Sequence, residues 1–209
     1  MIIDCISDLH GFQTKLEGGD LLLIGGDLTA RDEPHEFDEF KKWLKEQPYT
    51  KKILIGGNHD NFLARLKKPE EYFNDAVYLC DSYTEFMGFK IWGSPWTKNF
   101  HGQNPHCKAF GFDFSTQMLE KFELIPNDTN ILITHSPPQG ILDQTWRMRV
   151  GCPELRRIVQ KLPNLKLHLF GHIHEGYGVE EGFPGMKFVN ASIVNENYQP
   201  VNKPVRVIL

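Results

Sequence analysis

The chain has 209 residues, 40% of them hydrophobic and 24% charged, which supplies one buried core and excludes wholesale disorder. Lysine and arginine number 23 against 27 aspartates and glutamates, and the net charge of −4 has the wrong sign for a protein that holds long nucleic acid through its phosphates. The first apolar run, residues 2–6, is short and contains Asp4, so it reads neither as a secretory leader nor as a membrane span, and a cytoplasmic protein is expected.

Short apolar runs recur along the chain at 2–6, 21–24, 53–55, 76–79, 89–92, 131–133, 165–170, 188–189 and 205–209. Their length and branched side chains predict strands. Between them lie helix patterns. In 34–46, Phe37, Phe40 and Leu44 repeat at helical spacing, Pro34 suits the first turn and Pro48 ends the element. From Ser115 the residues Met118, Leu119 and Phe122 repeat that spacing, as do Leu155, Ile158, Val159 and Leu162 after Pro153, up to Pro163. No repeat or linker divides the chain, so a single mixed α/β domain over 1–209 is expected.

Five of these runs end in polar residues of one kind. The first leads into Asp8 and His10, the second into Asp27, the third into Asn58, His59 and Asp60, a later one into His135, and another into His172 and His174. Ligands bind at the carboxyl edge of strands in α/β sheets, so these side chains can converge on one crevice. Asp8 and His10, like His172 and His174, are two apart, which on extended backbone places both on one face. Glycines before Asp27, Asn58 and His172 allow positive φ and close backbone approach. Imidazoles and carboxylates without thiolates suit manganese, iron or zinc, and seven ligand-type groups exceed the needs of one tetrahedral ion. Two divalent ions are expected, in a pocket that stays positive and attracts anions. Cys5, Cys80, Cys107 and Cys152 show no C-x-x-C pair and are expected to be reduced, and Asn190-Ala191-Ser192 is a glycosylation sequon in form only.

In this order, D-x-H, GD, GNHD, TH and GHIH resemble the calcineurin-like metallophosphoesterase superfamily. The stretches GDLLLIGGDLT, VYLCDS, GFKIWGSPW, ITHSPPQG, GHIHEGYG and VNAS resemble its small phosphodiesterase branch, the metallophosphoesterase-domain-containing proteins. Mammalian members of that branch carry glycine at the first histidine of GHIH, where this chain has His172. The resemblance implies a sandwich of two facing mixed β-sheets flanked by α-helices. It implies Asp8, His10 and His174 on a first metal, Asp27 bridging, and Asn58, His135 and His172 on a second. Manganese is the first expectation, with iron or zinc as alternatives. Asn58 and His59 would face substrate, with His59 stabilising the transition state or protonating the leaving oxygen. Asp60 would orient His59, or else cap the helix after it.

The implied activity is a metal-dependent phosphodiesterase on small, cyclic or other nucleotide, phosphodiesters, with a metal-bridging hydroxide as nucleophile. A phosphomonoesterase or phosphoprotein phosphatase, and a non-catalytic metal-binding scaffold, are the alternatives. Arg31 follows Asp27 by four residues, where protein phosphatases of this superfamily place an arginine on phosphate, but Gly56 stands where their second arginine would be, and Arg31 reads rather as a surface residue near a helix start. Trp96, Phe100, Phe110, Phe112 and Phe114, with His101 and His106, form an aromatic segment that either walls the pocket and stacks a nucleobase or packs under a long loop.

Overall fold

A computed structural model describes residues 1–99, 106–183 and 185–209. Phe100 and His101 of the aromatic segment lie outside them. Two large sheets form the frame, and β7 (Thr97–Lys98) and β8 (Gly111–Phe112) make a separate two-stranded pair. The first runs, in spatial order, β13 (Val205–Ile208), β1 (Ile2–Ile6), β2 (Gly19–Ile24), β3 (Tyr49–Leu54) and β4 (Val77–Tyr78). The second runs β11 (Gly178–Phe183), β12 (Met186–Asn190), β10 (Leu167–Phe170), β9 (Ile131–Thr134), β6 (Phe89–Ser94) and β5 (Ser82–Phe86). Strands β1, β2, β3 and β4 pair in parallel, as do β6, β9, β10 and β12, while antiparallel β13, β5 and β11 close three of the four edges.

Alternation along the strands explains the layering. Ile3, Cys5, Leu21, Leu23 and Ile53 from one sheet pack against Ile91, Ile131, Ile133, Leu167, Leu169 and Val189 from the other, which makes the central core. Residues of the opposite parity face outward. Leu22, Ile24 and Leu54 meet Phe37, Phe40, Trp43 and Leu44 of α1 (Pro34–Glu46). Leu132, Phe170 and Phe188 meet Met118 and Phe122 of α3 (Ser115–Phe122) and Leu155 and Val159 of α4 (Pro153–Val159). The result is the two-sheet sandwich flanked by helices that the motifs implied. Helix α1 has its expected bounds, and the Glu36 carboxylate accepts the backbone N–H of Glu33 (3.0 Å) at its start. The last expected helix stops at Val159, three residues short of Leu162.

The four cysteines are free. Among the described residues no helix is long and apolar enough to cross a membrane.

Candidate metal centre

The carboxyl ends of β1, β2, β3, β9 and β10 deliver Asp8 and His10, Asp27, Asn58 and His59, His135, and His172 and His174 to one seam between the sheets. A parallel bridge between Ser7 and Ser192 joins the two sheets there, with the Ser7 N–H donating to the Ala191 carbonyl (2.8 Å). Extended backbone is not what makes the pairs converge. Asp8, His10, Asp27 and His172 have φ of 50°, 43°, 53° and 67°, left-handed turns that non-glycine residues adopt at a cost and that cluster at functional sites. Of the glycines expected to supply positive φ, Gly26 does (100°). Gly57 and Gly171 serve close approach instead, since a Cβ there would lie 2.2 Å from the Asp27 carboxylate and 1.9 Å from that of Asp8.

Asp27 is the focus of the cluster. Its Oδ2 lies 3.3 Å from His135 Nε2, 3.7 Å from His10 Nε2 and 3.9 Å from His59 Nε2, while its Oδ1 accepts the His59 backbone N–H (2.9 Å). Asp8 Oδ1 lies 3.4 Å from His174 Nε2. The Asp8 carboxylate also accepts the His172 N–H (3.0 Å) and the Ser192 hydroxyl (2.7 Å). Two histidines are held with one nitrogen aimed inward. Nδ1 of His135 meets the Gly25 carbonyl at 2.8 Å and Nδ1 of His174 meets the Asn195 carbonyl at 3.0 Å. Each Nδ1–H therefore donates to a carbonyl, the usual outer support of a metal-binding imidazole.

The inward atoms need a cation. His135 Nε2 lies 3.0 Å from Asn58 Oδ1 as well as 3.3 Å from Asp27 Oδ2, so its lone pair would face two acceptors unless a proton or a metal stood between. His10 Nε2 is buried without a hydrogen-bond partner. Three sets of donors, Asp8-His10-His174, His10-Asp27-His59 and Asp8-Asp27-His135, each have their ligand atoms within 4.8 Å of one another. Asn58 stands beside His135, and the His172 ring is 5.0 Å from that of His135.

Electrostatics agree with this appetite for positive charge. Burial alone would raise the carboxyls of Asp8 and Asp27, yet the imidazoles around them, His174 and His135 for Asp8, His135 and His59 for Asp27, hold both below the usual carboxylate range. Burial pulls His135 down, but Asp27 and Asp8 raise it to about 9. His10 and His172 are depressed by burial to about 4 and about 3, so both rings are neutral at pH 7.

Asp60 does neither of the things expected of it. Its buried carboxylate accepts the backbone N–H groups of Asp27 (3.0 Å), Leu28 (3.0 Å) and Gly57 (2.8 Å), and it makes no side-chain cap on α2 (Asn61–Arg65). It therefore braces the turn that carries Asp27. The partner of His59 Nδ1 is the Cys107 thiol at 3.3 Å. Arg31 is exposed, and its backbone N–H donates to Glu36. Trp96 is packing, not a substrate wall. It stacks on Phe112 at 4.7 Å and donates Nε1–H to Asp81.

Several residues carried no sequence signal for this site. Asn190 and Ser192 of the sequon are fully buried; Asn190 binds the Ile173 carbonyl (2.8 Å), and Ser192 binds Asp8. Tyr198 places its ring 4.8 Å from that of His10. The cluster opens into a cavity of about 650 Å³ whose walls include Lys98, Cys107, Trp146, Arg147 and Glu196.

A two-sheet sandwich with buried carboxylates and inward-aimed imidazoles at its seam is the frame of a metal-dependent hydrolase of phosphoric esters. A family model for calcineurin-like phosphoesterases matches residues 1–176, and the chain belongs to that family. Metallophosphoesterase domain-containing protein 1 of Homo sapiens is 40% identical over 234 residues, covering 98% of this chain and 70% of that protein. A 3′,5′-cyclic-nucleotide phosphodiesterase of Nostoc is 23% identical over 164 residues, covering 76% of this chain and 57% of that protein. The crystal structure of TT1561 from Thermus thermophilus superposes with a TM-score of 0.61 over 90% of this chain and 88% of that one; at 16% identity the likeness is one of fold.

Proposed function

We propose that the chain is a binuclear-metal phosphodiesterase of the cytoplasm, a single domain over 1–209, that hydrolyses small phosphodiesters such as cyclic or other nucleotides. The observation that carries this reading is the convergence of three imidazole nitrogens on Asp27 Oδ2, one of them the buried, unpartnered Nε2 of His10. The donor set fits divalent ions of the manganese, iron or zinc kind, with manganese first. Asp8, His10 and His174 would hold one ion and Asn58, His135 and His172 the other, with Asp27 between them. When bound, such a pair supplies an acidified water as nucleophile and neutralises the charge of the phosphoryl group.

The chain's own groups do the rest. Asn58 and His59 line the cavity, where they can orient the phosphoryl oxygens. His59 Nε2 faces Asp27 and the cavity and can give its proton to the leaving alkoxide. Ser192 and the His172 N–H hold the Asp8 carboxylate in one orientation, and Gly25 and Asn195 do the same for the imidazoles of His135 and His174. The likeness to a cyclic-nucleotide phosphodiesterase of Nostoc supports a diester substrate.

The test is hydrolysis of bis-p-nitrophenyl phosphate beside p-nitrophenyl phosphate, after chelation and readdition of manganese, with Asp27→Ala as control. Metal-dependent turnover favouring the diester and absent from the control is expected. Preference for the monoester would replace the diesterase reading with a phosphomonoesterase, and bound metal without turnover on either would make the chain a scaffold.

A further inference from the structure

Trp146 is 79% exposed on the wall of the cavity that holds Asp27, Asn58 and His59. The other tryptophans are packed: Trp43 is 8% and Trp92 6% exposed, and Trp96 is stacked on Phe112. The Trp146 ring is therefore open to a ligand that enters the cavity.

This indole does not hang on a loose loop. The Thr145 hydroxyl donates to the Met148 carbonyl (2.8 Å) and accepts the N–H groups of Met148 (3.1 Å) and Arg147 (3.3 Å), and the Thr145 N–H donates to the Met148 carbonyl (2.9 Å). Beneath this turn, Gln144 and Arg149 form an antiparallel bridge, and Arg149 pairs with buried Asp143 at 2.8 Å. Asp143 in turn accepts the N–H groups of Gly140 (2.8 Å) and Gly151 (3.1 Å). The stem is tied to the metal-type cluster as well, because Asn190 donates both to the Leu142 carbonyl (3.3 Å) and to that of Ile173 (2.8 Å), between His172 and His174. The Arg147 guanidinium lies over the ring, 4.1 Å from its centroid, and backs it with a cation.

We propose that Trp146, backed by Arg147, is a stacking platform for a planar nucleobase, a subsite beside the phosphoryl centre that selects nucleotide esters over base-free ones. The inference rests on the phosphodiesterase reading for the position of the phosphate. A cavity of about 650 Å³ lies within the roughly 300–1,000 Å³ range of small-ligand sites. Its polar walls, including Lys98, Asn99 and Glu196, supply donors and acceptors for the edges of a base, while the indole supplies the face. Stacking tolerates any base, so the platform predicts a preference for nucleotides as a class.

The experiment measures, by calorimetry on the manganese-loaded chain, the affinities of adenosine 5′-monophosphate and ribose 5-phosphate, which differ in the base. Trp146→Ala is expected to weaken binding of the first roughly 5- to 150-fold, the span of one base–aromatic stack, and to leave the second unchanged. Trp146→Phe should retain most of the affinity. An unchanged melting temperature in both variants checks that the exposed position is structurally neutral. In the metal-stripped chain, adenosine should quench indole emission, and Trp146→Phe should abolish that quenching. Equal weakening for both ligands, no weakening for either, or a wild-type chain that does not prefer the base-bearing ligand would overturn the platform. Failure of the catalytic reading looks different: base discrimination through Trp146 would persist without diester turnover.

Discussion

Cys107 Sγ stands 3.3 Å from Nδ1 of His59, in the place where a carboxylate was expected. Burial, with Asp27 and Asp32 nearby, pushes the thiol above its ordinary value, so it keeps its proton at neutral pH and has one to offer Nδ1. With the thiol as donor, Nδ1 accepts and Nε2 is left to carry a proton toward Asp27 and the cavity. His59→Ala should lower turnover of an alkyl-leaving diester by about 10²–10⁴-fold without emptying the metal site. Cys107→Ala should cost a fraction of that, ~3–30-fold, and Cys107→Ser less. A nitrophenyl leaving group needs no proton and should register little of either change. Equal losses on both leaving groups would remove the thiol from this role.

Asp60→Ala should act through the fold. Three buried N–H groups, those of Asp27, Leu28 and Gly57, lose their acceptor together. With each unsatisfied donor worth about 1–3 kcal/mol and some relaxation between them, a loss of roughly 2–5 kcal/mol is expected. Urea denaturation measures it, and metal affinity should fall with it because the Asp27 turn is no longer braced. Full stability in this variant would contradict the bracing role.

Metal uptake should release a proton. In the metal-free chain His135 stands at about 9, so at pH 7 it is charged, and its Nε2 must lose that proton to accept an ion. The apparent affinity should therefore weaken about tenfold for each unit that pH falls below 9. The same raised pKa stabilises the metal-free fold fully below about 6.5, and that stabilisation is lost as pH rises through 9. Calorimetry of manganese binding in buffers of different ionisation enthalpy counts the protons; enthalpies independent of buffer would show that none leaves.

His168 makes the chain acid-sensitive from the opposite direction. The Thr134 hydroxyl lies 2.7 Å from the Ser136 carbonyl and gives it its only hydrogen, so His168 Nε2, 2.8 Å from that hydroxyl, must be the donor. Nδ1 is left buried without a partner, and burial depresses the ring to about 3. The unfolded chain takes up a proton below about 6.5 and the folded one does not, so stability falls by about 1.4 kcal/mol per pH unit between about 6.5 and 3. His168→Gln retains a donor and cannot titrate. Its stability should fall less steeply between pH 6.5 and 4, read by urea titrations, and parallel slopes would exclude this source.

How much of this was legible depended on whether the signal lay in side chains or backbone. Helix α1 was readable because Phe37, Phe40 and Leu44 mark one face between two prolines. Strand β11 was not, because exposed Glu180 and Glu181 interrupt an edge strand with no apolar run. Residues after buried strands pointed to the metal-type cluster, but the left-handed turns at Asp8, His10, Asp27 and His172 have no residue-type marker once glycine is excluded. Asp60 was misread because its partners are amides, which every residue possesses. Cys107 and Trp146 lie in loops, where no periodicity indicates the direction of a side chain.

The two donors on Asp8 come from far along the chain, the His172 N–H 164 residues later and the Ser192 hydroxyl 184 residues later. Such closures are the slow events of folding, since a long loop must be ordered before any contact rewards it. Until β10 and β12 are in register the Asp8 carboxylate lacks the groups that orient it. Metal capture is therefore expected late in the life of a newly made molecule, and its rate should report when both sheets have met.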